Sequence, residues 1–218
     1  MVVADLAGDA AEAAAAGLPG RSAAVDVRDA TSVRALVDRT VAEHGRLDVW
    51  VNAAGVYPTA PLLELTDDDW ALVLDTNLRG TFLGAREAAR AMVDRGEGGV
   101  IVNISSTAAF RADAPGAAHY VASKFGVRGL TKALAVELGP HAIRVLEVAP
   151  TVTLTPGLEQ KADALRSAGF ALEELGPTLP LGRVAVPDDV ARVVLFCASD
   201  LAALMTGSTL LVDAGELV

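Results

Sequence analysis

Tyr120 and Lys124 stand four residues apart in the stretch Tyr120-Val121-Ala122-Ser123-Lys124. On a helix, that spacing puts both side chains on one face, about 6 Å apart. A free phenol titrates near pH ~10, too high for ready proton exchange at neutrality. A neighbouring ammonium favours the phenolate and lowers that value. The pair then reads as a general acid/base. The upstream Ser105-Ser106 could hold a substrate oxygen beside the phenol. The same spacing also occurs on plain amphipathic helices, with a buried Tyr and a solvated Lys, so the company the pair keeps decides between the two readings.

The elements that would position these residues alternate along the chain. Short apolar runs at Val2–Ala4, Ala23–Val27, Leu47–Val51, Val100–Ile104, Ile143–Val148 and Ser208–Val212 are separated by amphipathic helical patterns. That alternation predicts an α/β fold, a doubly wound parallel sheet. Helices are expected over Asp9–Ala16, from Asp29 or Thr31 to Gly45, after the Thr66-x-x-Asp69 capping box, over Leu78–Asp94 with Gly96 as stop, from Tyr120 to Leu138, and over Asp188–Ala198 after Pro187. The continuous apolar strand Val100–Ile104 belongs in the middle of such a sheet and delivers Ser105 and Ser106 at its end. Residues 1–218 read as one domain.

With 52% hydrophobic, 21% charged and 4% aromatic residues, the core should be mainly Ala, Val and Leu. Eighteen basic against 28 acidic residues give a formal charge of −10, which argues against nucleic acid or an anionic membrane as partner. The start Met1-Val2-Val3-Ala4-Asp5 lacks the pattern of a signal peptide. The single Cys197 forbids an internal disulfide, reads as core packing and suits a reducing cytoplasm. His44, His119 and His141 lack metal-ligand spacing, so no metal site is expected. His119, beside Tyr120, reads as a residue of the site's rim.

Further motifs occur in order: Asn52-Ala53-Ala54-Gly55, Asn77-Leu78-Arg79-Gly80, Ile104-Ser105-Ser106, Tyr120-x-x-x-Lys124 and Val148-Ala149-Pro150. Together they resemble the short-chain dehydrogenase/reductase family over almost the whole chain. The resemblance implies a Rossmann-like fold and an NAD(P)-dependent oxidoreductase interconverting a small-molecule secondary alcohol and a ketone. Tyr120 would be the acid/base, Lys124 its partner and the ligand of the nicotinamide ribose, and Ser106 the group on the substrate oxygen. Asn77 would be the fourth catalytic member, at a helix kink. Asp5 would take the adenosine ribose hydroxyls and so favour NAD over NADP, although a solvated strand end is an equally plain reading of that residue. Asp26 and Val27 match the adenine pocket, and Asn52, Ala53 and Gly55 the adenosine side of the cleft. Pro150, Thr153 and Thr155 would face the nicotinamide carboxamide.

The run Pro150-Thr151-Val152-Thr153-Leu154-Thr155 looks like the sugar and polyol branch, although Thr151 and Leu146 replace the family's usual Gly and Asn. Thr151–Pro180 resembles its substrate lid. Helices Leu78–Asp94 and Tyr120–Leu138, with strand Ser208–Val212, match the surfaces through which the family forms homo-oligomers, so a tetramer or dimer is expected.

One expected part is missing. The family's first strand, glycine-rich phosphate-binding turn and first helix have no counterpart, because Val2–Asp5 matches the second strand. About six of seven strands therefore remain. A start taken at an internal Met of a longer reading frame accounts for this and is favoured. A natural short form, with the Met1 strand moved into the vacant place or a partner chain filling it, is an alternative. So is a non-catalytic relative, acting as a subunit or binding protein, that no longer holds a dinucleotide.

Overall fold

In the computed structural model, residues 1–112, 115–159 and 172–218 are described. The chain opens with strand β1 (Val2–Asp5), helix α1 (Gly8–Ala15) and strand β2 (Arg21–Ala24). Helix α2 (Ala30–His44) and β3 (Val49–Asn52) follow. Next come α3 (Asp67–Leu74), a π-helical turn (Asp75–Arg79), α4 (Gly80–Arg95) and β4 (Gly99–Ile104). Helix α5 (Ala118–Leu138), β5 (Ile143–Pro150), α6 (Pro187–Ala198) and β6 (Thr209–Val212) complete it. Every strand pair is parallel, as the alternation of strands and helices requires.

Local chemistry sets the helix ends. The Asp29 carboxylate accepts from the Thr31 and Ser32 amides at the start of α2, and Gly45 closes that helix in the left-handed region. Thr66 and Asp69 form the capping box of α3. Gly96 ends α4 in the left-handed conformation. The helix expected from Leu78 is instead interrupted by the π-turn over Asp75–Arg79, and regular α-geometry resumes at Gly80.

Alternation along β4 and β5 divides their side chains between two cores. Ile101, Ile143 and Val145 pack with Ala88, Met92 and Ala135 on the α4/α5 side. Val100, Val102, Leu146 and Val148 pack with Cys197 on the α6 side. Cys197 is fully buried there, the packing role its apolar run indicated.

The strands form two sheets rather than the single sheet expected: β1-β2, and β3-β4-β5-β6. Val2–Asp5 pairs with Arg21–Ala24, so the alternative in which the first strand moves beside β3 does not occur. Among the described residues no strand lies between β1 and β3. The facing edge of β3 leaves Val49 38% and Val51 41% exposed, an unusual state for apolar residues of a parallel strand. Side chains hold the two sheets together. Val2, Val27 and Trp50 pack on a cluster of Ala23, Val25, Val33, Leu36 and Leu83.

Gly84 sits where α4 crosses β3. A Cβ there would overlap Asn52 Oδ1 and stand 2.8 Å from Trp50 Nε1. Gly84→Ala is therefore expected to cost about 1–3 kcal/mol in urea unfolding. Gly129, on α5 with nothing near its Cβ position, should instead gain up to about 1 kcal/mol as Gly129→Ala. Equal effects of the two substitutions would contradict this packing.

Candidate active site

The residues singled out for chemistry converge at the carboxyl ends of the strands, where open α/β sheets place their clefts. Strand β4 ends at Ile104 and hands on Ser105 and Ser106. Helix α5 carries Tyr120 and Lys124 one turn apart on the facing side. Ser106 caps a short turn by accepting from the Ala108 amide at 3.1 Å, and its hydroxyl lies near enough to the Tyr120 phenol to favour its deprotonation. Lys124 is 6% exposed, and its Nζ donates to the Ile104 carbonyl at 3.1 Å. The same ammonium lies 5.6 Å from the centre of the Tyr120 ring.

Asn77 is buried at the centre of the π-turn. Its Oδ1 accepts from the Val56 amide at 2.8 Å, and its Nδ2 donates to the Val56 carbonyl at 2.9 Å. Nδ2 also donates to Ser123 Oγ at 3.1 Å, and that hydroxyl donates to the Tyr120 carbonyl at 2.7 Å. One buried amide thus ties the loop after β3 to the helix that carries the phenol. π-Turns inside helices are frequent at functional sites because they let a side chain of this kind point inward. Gly55 completes the wall. A Cβ there would stand 3.4 Å from Asn77 Oδ1 and 3.7 Å from Lys124 Nζ.

Below this cluster runs a polar band on the α5 side of the sheet. Trp50 Nε1 donates to Asn52 Oδ1 at 2.7 Å, and Asn52 Nδ2 to Asn103 Oδ1 at 2.9 Å. Asn103 Nδ2 then donates to Thr131 Oγ1 at 2.9 Å. The Asn52 side chain is therefore engaged under the sheet end, while Ala53 and Gly55 lie exposed above it. Glu147, which the sequence did not single out, is completely buried in the same region.

Electrostatics differ from the expectation in one respect. Burial raises the Tyr120 phenol above its ordinary value, and the nearby Ser106 hydroxyl only partly offsets this. The anticipated lowering by Lys124 is not seen; the ammonium is itself taken up by burial. Desolvation pulls Lys124 down to about 8, while the charge of Glu147 acts in the opposite sense. His119 is also displaced from its expected place: it is fully buried, with neither ring nitrogen hydrogen-bonded, and is no rim residue.

The residues matched to a dinucleotide divide into two groups. At one end are Tyr120, Lys124 and Gly55, with Pro150 as the last residue of β5, the strand paired with β4. Beyond it Thr153 bridges to Ala185. Thr155 Oγ1 accepts from the Leu158 amide at 3.2 Å. The lid expected over Thr151–Pro180 falls partly outside the described residues. At the other end, Asp5 is exposed and accepts from the Ala7 amide at 2.9 Å. Asp26 is held by the Arg28 guanidinium at 2.7 and 2.9 Å, which lowers its carboxyl to about 2. Val27 packs against Gly80 and the α2 core. The turn into α1 has a single glycine, Gly8, and carboxylates at Asp5 and Asp9 accept its amides. An anion is unwelcome there. The nicotinamide half of a dinucleotide fits the residues present; among the described residues no glycine-rich turn between β1 and β3 offers amides to its pyrophosphate, and the carboxylates of the β1–α1 turn disfavour an anion such as a ribose 2′-phosphate.

Lys124 binds its proton less tightly in the folded chain than in the unfolded one. Between about pH 8 and the ordinary lysine value near 10.5, the unfolded chain carries the extra proton, so this residue's contribution to stability rises with pH across that window. Lys124→Met removes the group. Against that variant, the wild-type chain should gain on the order of 3 kcal/mol in unfolding free energy across the window. Parallel pH dependences of the two proteins would contradict the burial of a titrating ammonium.

Among the described residues, no helix is long and apolar enough to cross a membrane, and no group of acidic, His or Cys side chains is arranged to hold a metal. Residues 1–216 match the family model described as Enoyl-(Acyl carrier protein) reductase. A D-threitol dehydrogenase of Mycolicibacterium smegmatis is 45% identical over 98% of this chain and 82% of that protein. The crystal structure described as ribose-5-phosphate isomerase from Brucella melitensis 16M superposes with a TM-score of 0.92 at 36% identity, covering 100% of this chain and 82% of that one. A gluconate 5-dehydrogenase from Burkholderia cenocepacia J2315, in complex with NADP and tartrate, gives 0.87 at 33% identity, over 98% and 84% of the two chains. With its ordered motifs, its parallel α/β fold and these matches, the chain belongs to the short-chain dehydrogenase/reductase family of oxidoreductases.

Proposed function

We propose that this chain interconverts a secondary alcohol of a polyol or sugar-like substrate and the corresponding ketone, with NAD rather than NADP as hydride carrier. The observation that carries the reading is the cluster in which Ser106 meets the Tyr120 phenol, with the buried Lys124 and Asn77 behind it. A nicotinamide, when bound, supplies the hydride chemistry at the carbinol carbon. The chain's own residues handle the oxygen and its proton. Ser106 orients the substrate oxygen by hydrogen bonding. Tyr120 takes the hydroxyl proton in oxidation and returns it in reduction. Lys124 places a positive charge beside the ring, which favours the phenolate as it forms, and is the residue matched to the nicotinamide ribose. Asn77 fixes the Gly55–Val56 backbone against that ammonium. Thr153 and Thr155 would face the carboxamide, and Asp5 would repel a 2′-phosphate. The polyol class follows from the threitol and gluconate relatives together with the Pro150–Thr155 run.

A second reading has a specific observation in its favour. Among the described residues no strand or glycine-rich turn between β1 and β3 offers what a pyrophosphate requires, which favours a non-catalytic subunit or binding protein. A homo-oligomer suits either reading. Phe82 on α4, Phe125 and Val136 on α5, and Leu211 on β6 are all substantially exposed.

Turnover separates the two. NADH formation from NAD with D-threitol and related polyols should be measurable at 340 nm with the wild-type chain. Tyr120→Phe should lower the rate by a factor on the order of 10²–10⁴ while leaving the unfolding midpoint in place. Undiminished turnover by folded Tyr120→Phe would remove the phenol from the mechanism. Asp5→Ser should shift the NAD over NADP preference at least about tenfold towards NADP, the equivalent of ~1.4 kcal/mol, and an unchanged ratio would make Asp5 a solvated strand end.

A further inference from the structure

Glu147 is a carboxylate in the middle of an apolar strand, Ile143-Arg144-Val145-Leu146-Glu147-Val148-Ala149-Pro150, and has no exposed surface. An isolated buried carboxylate is expensive, so its surroundings must be built for it. Two hydroxyls donate to it: Ser105 Oγ to Oε1, and Thr209 Oγ1 to Oε2 at 2.8 Å. These come from the two flanking strands, whose residues Asn103 and Thr209 lie opposite Glu147 in register. Alternation from Ile143 and Val145, which pack on the α4/α5 side, turns Glu147 towards α5. On that helix, Ser123, Lys124, Val127 and Thr131 form the buried face.

The charges around Glu147 are few. Strands β4 and β6 present Asn103, Ser105 and Thr209, none of which titrates. On α5, Lys132 is exposed, and Arg128 is directed to the Ala109 carbonyl and the Phe110 ring. Arg144, on Glu147's own strand, donates to the Cys197 and Ser199 carbonyls on the α6 side. His119, at the start of α5, lies within electrostatic reach of Asp69 of α3. Among the described residues, Lys124, on the buried face of α5 that Glu147 is turned towards, is the cation whose proton the Glu147 charge favours, without a direct ion pair between them. The link is also covalent at one remove, because Ser105 sits between Ile104, whose carbonyl receives the ammonium, and Ser106, which meets the phenol.

We propose that Glu147 is a positioning residue: the buried counter-charge for Lys124 and the anchor that fixes the Ile104–Ser106 backbone between ammonium and phenol. Its place in catalysis rests on the dehydrogenase reading above; its coupling to Lys124 does not. A purely structural role would need only a side chain of the right volume. Here the charge itself matters, since it keeps a proton on an ammonium that burial would otherwise strip.

The test is NMR of the chain labelled at the lysine side chains, without cofactor or substrate. The sequence has three lysines, Lys124, Lys132 and Lys161, and Lys124→Arg identifies the signal. Glu147→Gln, which keeps the shape and an acceptor for one of the two hydroxyls while presenting a donor to the other, should move the Lys124 midpoint down by at least about one pH unit, a tenfold loss of proton affinity. Glu147→Asp should restore most of it. A folded Glu147→Gln chain with an unmoved Lys124 midpoint overturns the proposal, whatever its thermal stability. Should Glu147→Gln not fold, the wild-type chain still decides. The Glu147 carboxyl carbon should shift as Lys124 titrates, and a carboxyl signal indifferent to that step overturns the coupling. Because neither readout needs turnover, an inactive chain with a responsive Lys124 refutes the proposed function alone, and an active chain with an unresponsive one refutes this inference alone.

Discussion

A buried ammonium governs the arrangement of this site. Lys124 has almost no contact with water, yet its side chain is one of the most strongly hydrated in proteins. Removing that hydration is tolerable only where acceptors and negative charge replace it. The Ile104 carbonyl supplies the acceptor, and Glu147 supplies the charge. Gly55 lies against the same nitrogen, where a Cβ would stand 3.7 Å away. Asn77 then holds the Gly55 loop by clamping both backbone groups of Val56. Each of these choices costs stability or freedom, and together they fix a cation beside a phenol that burial alone would keep firmly protonated.

The same fold is open on one side. Strands β1 and β3 each pair with a single neighbour, and the two sheets are joined by side chains of α2, α4, Val2 and Trp50 rather than by backbone hydrogen bonds. A parallel sheet is normally buried and continuous, so this gap is where the molecule departs most from the physics of its class. The reactive end of the cleft is bounded by β4, β5 and α5 and does not depend on the gap. The adenosine end would lie beside it, and there the carboxylates at Asp5 and Asp9 occupy the amides that open α1.

Features set by neighbours in sequence were legible from the residues. The Asp29 cap, the Thr66–Asp69 box and the left-handed glycines at 45 and 96 lie where turn and cap chemistry puts them, because each depends on contacts within four residues. Tyr120 and Lys124 share a helical face for the same reason. Ser106 and Asn77 came from motif resemblance, and the structure brings both into the cluster. What escaped the sequence depends on distant partners. Glu147 was not singled out, because the Ser105 and Thr209 hydroxyls that hold it come from the end of β4 and from β6. His119 looked exposed because its burial is decided by packing across helices. The π-turn at Asp75–Arg79 has no local signature; the kink at Asn77 was expected from the family resemblance alone, and its hold on Val56 and Ser123 appears only in the fold. The raised Tyr120 phenol reflects desolvation, a property of the whole surroundings rather than of an i, i+4 pair.

The Tyr120–Lys124 end of the chain is proposed above as a working nicotinamide site. Calorimetric titration of the folded chain with NADH, and with NADPH beside it, addresses that claim most directly. The account predicts weak but saturable binding of one NADH per chain, stronger than that of NADPH and lost in the Lys124→Met variant. A folded chain that takes up neither nucleotide would contradict it and leave the cluster as inherited architecture without a cofactor to serve.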